Sequence, residues 1–106
     1  MIRVPGLPSE DRTDNYIKTR GSKGEATIRI LLKNRKFIDA MNTEVGQALL
    51  EDICKLHEEA FGKIAALQAS DEDKMEYKVL QRLIDRFATR ITDYVMKCQM
   101  VEGARV

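Results

Sequence analysis

Residues Tyr77–Val101 read YKVLQRLIDRFATRITDYVMKCQMV, with apolar side chains at Tyr77, Leu80, Ile84, Phe87, Ile91, Tyr94, Cys98 and Val101. Steps of three and four residues hold these positions on one stripe of an α-helix. The stretch contains neither Gly nor Pro. It therefore predicts a long helix that lies against another helix, as in a coiled coil. Val79, Leu83, Ala88 and Val95 stand outside the stripe and widen its apolar surface. They are the candidate partner-binding flank.

Working back from this stretch, Ser70 followed by Asp71, Glu72 and Asp73 marks the helix start, a capping hydroxyl with acids where the helix dipole favours them. The helix is expected over 71–101. Phe37, Ile38, Met41, Val45, Leu49, Ile53, Leu56, Ala60, Ile64 and Leu67 predict a preceding helix over 35–67, with a bend or a close helix contact at Gly46 and Gly62. Only Gln68 to Ser70 remain between the two, which forces an antiparallel hairpin. Residues facing each other across it should have numbers summing to about 138, placing Ala60 near Tyr77 or Leu80, Ile53 near Ile84 or Phe87, and Val45 near Tyr94.

Ser22 and Glu25 match a capping box and open a short helix over 22–34 that carries Ile28, Leu31 and Leu32 on one face. Asn34 suits either the end of this helix or the cap of the next, so a break is expected there. Residues 1–21 hold Pro5, Pro8, Gly6 and the polar run from Ser9 to Asn15 and show no periodicity. They read as an extended or disordered arm with anchors at Ile2, Val4, Leu7, Tyr16 and Ile17. The fold expected is all-α: an extended N-terminal arm (1–21) and a helical hairpin domain (22–106) of a short helix plus a long antiparallel hairpin.

At 106 residues the chain makes one domain of marginal core, and its net charge of +1 gives no overall attraction to nucleic acid or an anionic membrane. No apolar run is long enough to span a membrane, and the N-terminus lacks signal-peptide features, so the expected location is the cytoplasm. The two cysteines, Cys54 and Cys98, fall on apolar helix faces and read as buried free thiols, too far apart along the hairpin for a disulfide. With His57 they supply at most three soft ligands and no paired motif, so no metal is expected. No nucleophile, phosphate-binding or metalloprotease motif is present, and the consecutive acids Glu51-Asp52 and Glu58-Glu59 diverge on a helix. The expectation is a protein that is not an enzyme, with no cofactor and no small-molecule substrate.

Lys74, Lys78, Arg82, Arg86 and Arg90 recur at every fourth residue, with Asp85, Asp93 and Glu76 interleaved. Lys33, Arg35 and Lys36 surround Asn34, and the expected topology brings them to the same end as Arg90 and Lys97. These five are the candidate contacts for nucleic acid or an acidic partner.

The stretch Leu31-Leu-Lys-Asn-Arg-Lys-Phe-Ile-Asp-Ala40, followed by an apolar helix, a short acidic connection and a heptad helix, resembles small all-helical proteins of tailed bacteriophages, over roughly residues 26–101. Phe37-Ile-Asp-Ala-Met-Asn-Thr43 with Leu49-Leu-Glu-Asp-Ile53 is faintly similar to small terminase subunits, in which helical hairpins build a DNA-engaging ring, although no helix-turn-helix module is recognisable here. The resemblance implies a viral component of host cytoplasm or virion. The function expected is protein–protein interaction or assembly, as a homo-oligomer or docked on a larger complex; the alternatives are a DNA-associated packaging subunit and a small inhibitor of a host enzyme.

Overall fold

The computed structural model describes residues 1–104, which form four helices and no strand: α1 (Glu10–Arg20), α2 (Ser22–Met41), α3 (Glu44–Ala65) and α4 (Asp71–Gly103). The protein is all-α. Helix α4 runs the length of the molecule, α3 lies antiparallel along its first half, and α2 lies antiparallel along its second.

The α3–α4 connection follows from local chemistry. Ser70 Oγ accepts from Asp73 N while the Asp73 carboxylate accepts from Ser70 N, a reciprocal cap at the start of α4. At the end of α3, Gln68 N donates to Lys63 O and Leu67 N to Ile64 O, with Leu67 at φ +58°. That is a Schellman ending with leucine where glycine is usual. The register of the hairpin is as the spacing predicts: His57 Nε2 donates to Gln81 Oε1 at 2.7 Å, Phe61 meets Tyr77 at 6.2 Å between ring centroids, and Lys63 reaches Asp73.

That register stops at Thr43, and here the structure corrects the sequence reading. The chain does not break at Asn34, which lies inside α2 and donates from its side-chain amide to Asp93 Oδ2 on α4 at 2.9 Å. The break comes at Asn42–Thr43. Thr43 Oγ1 caps α3 by accepting from Gly46 N, and Gln47 Nε2 donates back to Met41 O. Val45, expected beside Tyr94, is 79% exposed, and Tyr94 meets Arg35 of α2 instead. Gly46 permits the fold-over: a Cβ there would stand 2.6 Å from Met41 Cα and closer still to Ala40 O.

The arm is also shorter than expected. Residues 10–20 are helical because Ser9 caps them, Glu10 and Asp11 fill the first turn and Lys18 and Arg20 the last. Tertiary contact completes the stabilisation, with Tyr16 buried and α1 pressed on α2 at Gly24, where a Cβ would lie 2.8 Å from Tyr16 O. Gly21, at φ +59°, ends α1 and begins α2, so the Ser22–Glu25 capping box does not form. Residues 1–9 are extended and lie on the chain's own body. Ile2 exchanges two 2.8 Å hydrogen bonds with the Asn42 side chain, and Pro5 O accepts from both Tyr94 Oη and Arg35 Nη1.

The main core joins Tyr16, Ile28, Leu31, Ile38, Tyr94, Cys98, Val101 and Ala104, with Ile2, Val4 and Ile17 packed against it. It is confined to α1, α2, the second half of α4 and Ala104 just after it. In the other half, α3 and the start of α4 bury only Gly46, Ile53, Ala60 and Leu80. The protein is a packed three-helix end continued by a bare two-helix hairpin, 58 Å long and 17 Å thin.

Candidate interaction surface

The two faces of the bare hairpin differ. On the first, His57 stacks on Tyr77 at 4.9 Å and bonds Gln81, whose amide donates on to Asp85. Where this face meets α2, a half-open cavity of about 230 Å³ is lined by apolar side chains including Ile2, Phe37, Leu50, Ile84, Phe87 and Ile91. Cys54 lies at its rim and is exposed, contrary to the expectation of burial, whereas Cys98 is buried; both thiols are free.

On the second face, about 80° or more around each helix from His57 and Tyr77, lie Leu49 and Leu56 of α3 and Val79 and Leu83 of α4. Leu49, Leu56 and Val79 are 48%, 45% and 56% exposed, and Leu83 is half-buried. Three residues beyond each comes a charge on the same side: Asp52 and Glu59 on α3, Arg82 and Arg86 on α4. All four charged residues are exposed, and none forms an ion pair among the described residues. An apolar strip thus runs between an acidic edge and a basic one.

The structure separates the four flank residues read from the sequence. Val79 and Leu83 lie on this second face. Ala88 and Val95 project from roughly the opposite side of α4, Ala88 at the cavity and Val95 against the main core. The sequence spacing assigns Leu49 and Leu56 to the seam. Their steps of four and three to Ile53 and Ala60 carry no local signal against a seam position, and it is their exposure in the folded chain that places them beside it.

The five basic candidates divide too. Arg35 is held by Tyr94, Pro5 and Asp39, and the hydrogen bond with the Tyr94 hydroxyl raises its pKa further. Burial in turn pushes the Tyr94 hydroxyl above its ordinary value. Arg90 lies over the Phe37 ring at 4.8 Å, and Lys97 is bound to Asp93. Lys33 and Lys36 are exposed on the outer side of α2 with Arg29, without ion pairs among the described residues. Among those residues, no cluster of His, Cys, Asp or Glu could hold a metal, and no helix is long and apolar enough to cross a membrane.

No protein-family model, curated protein or solved structure matches this chain.

Proposed function

We propose that this chain is a non-enzymatic assembly protein that docks through the second face of its α3–α4 hairpin onto a protein partner. The observation that carries this reading is surface area. The chain exposes 7844 Å², whereas a compact monomer of 12.1 kDa exposes about 6,000 Å². The surplus, about 1,800 Å², exceeds the roughly 800 Å² that each partner buries in a standard protein–protein interface. An assembly role also accords with the resemblance of residues 26–101 to small helical phage proteins.

A photocrosslinker placed at Val79 in the full chain tests this in an extract of the cells that make the protein, with the same group at Arg29 as control. The expected result is a discrete adduct from Val79, absent from the control. An uncrosslinked Val79 variant, with the fold intact by circular dichroism, would sink the reading.

A second reading rests on Arg29, Lys33 and Lys36, which form an exposed basic patch on the packed end. Such a patch would contact phosphates, and binding to duplex DNA should then strengthen as salt falls. Absence of binding at low ionic strength removes it.

A further inference from the structure

We infer that the occupant of the second hairpin face is another copy of this chain, seated so that α3 of one copy lies on α4 of its partner; this rests on the docking role just proposed. The hairpin register of about 138 sets the charges of this face in levels. Asp52 stands level with Arg86, Glu59 within one turn of Arg82, and Lys63, which already holds Asp73, level with Glu76. The sign on α3 opposes the sign on α4 at each of these three levels, and it reverses on both helices together toward the turn.

Within one chain Asp52 and Glu59 occupy the edge opposite that of Arg86 and Arg82, while Lys63 and Glu76 continue the rows of Leu56 and Leu83 toward the turn, and none of these three pairs forms. A two-fold axis running along the hairpin exchanges the edges and brings each acid opposite its base in the other copy. The strips of Leu49, Leu56, Val79 and Leu83 then close on each other. Such an interface is isologous, so every pair occurs twice. Setting α3 on the partner's α3 about the same levels would oppose acid to acid, which the charge pattern disfavours. The surplus surface on each chain is enough to supply its share of a standard interface.

The experiment is sedimentation of the full chain at about 100 µM and below, with charge variants at the exposed positions Asp52 and Arg86. The wild type should run at twice the 12.1 kDa chain mass. D52R and R86D should each weaken association at least about tenfold, and the double variant D52R/R86D should restore it, because the swapped charges meet across the axis. Equimolar D52R and R86D should pair with each other. Circular dichroism and melting check that each variant is folded, and the restored double variant guards against a trivial loss of structure.

A monomeric wild type overturns the inference, as does a dimer that neither single variant weakens or that the double variant fails to restore. The Val79 crosslink separates this failure from failure of the docking role. An adduct of another mass leaves docking standing while removing self-association, and no adduct removes both.

Discussion

Asn34 and Asp93 are 59 residues apart in sequence and joined by a 2.9 Å hydrogen bond where α2 crosses the second half of α4. Asn34 is 7% exposed, so its amide has little access to water as an alternative partner. Replacing it with alanine should cost about 2 kcal/mol, the range for a hydrogen bond to a charged group. N34D should cost more at neutral pH, since it sets a second carboxylate against Asp93, and part of the loss should return on acidification. Urea denaturation of the three proteins at pH 7 and pH 4 checks both. Equal stability of N34D and wild type at pH 7 would refute the pairing.

How much was legible in the sequence depends on whether the stabilising partner is near or far. The Tyr77–Val101 stripe and the Ser70 start are written in local spacing and capping chemistry, so α4 and the hairpin register follow from them. Asn34 looks like a helix terminator because its real partner is on another helix, and nothing local distinguishes the two roles. Helix α1 buries Tyr16 alone among its 11 residues, leaving no apolar period to detect. Of the candidate surface, Val79 and Leu83 were legible, but Ala88 and Val95 were grouped with them although the helix turns them away. The register read from the sequence already sets Asp52 level with Arg86; what only the fold adds is that Leu49, Leu56 and Val79 between those charges stay exposed.

Gly46 and Gly62 lie in the same helix, yet only the first is required by geometry. G46A should destabilise by about 2 kcal/mol or more, because its methyl would collide with the backbone of residues 40 and 41, which cannot swing aside as a side chain does. Nothing lies within 4 Å of a Cβ at Gly62, so G62A should gain up to about 1 kcal/mol from helix propensity. Paired thermal melts decide the matter, and a loss of equal size in both variants would contradict this account of the α2–α3 junction.

Leu67 occupies the left-handed position that ends α3 and is 94% exposed. It therefore carries backbone strain with little packing in return. L67G should stabilise the chain by about 1 kcal/mol, since the native φ of +58° suits glycine and no buried surface is removed. A lower denaturation midpoint for L67G than for wild type would show that the leucine packs in solution.

The two hydrogen bonds between Ile2 and the Asn42 side chain fasten the arm to the junction of α2 and α3. N42A removes both. Pro5 remains held by Tyr94 and Arg35, so the arm should loosen from its first residues rather than detach. Hydrogen exchange should accelerate at the Ile2 amide while the Tyr94 amide, inside α4, keeps its wild-type rate. Unchanged exchange at Ile2 would mean that the clasp does not hold the arm in solution.

Asp73 gives the hairpin a dependence on acid. The backbone N–H of Ser70, followed by the Ser70 side chain and Lys63, holds its carboxyl below the ordinary value of 3.8. As pH falls, the unfolded chain therefore takes up this proton first. The stabilisation is complete above the ordinary carboxylate value and is lost as pH drops through the lower folded one. D73N can still accept from Ser70 N but does not titrate, so the stability gap between wild type and D73N should be constant near neutrality and narrow below about pH 4. Denaturant titrations from pH 7 down to about pH 2.5 measure that gap. One that stays constant throughout would mean that the ionised carboxylate contributes nothing to the cap.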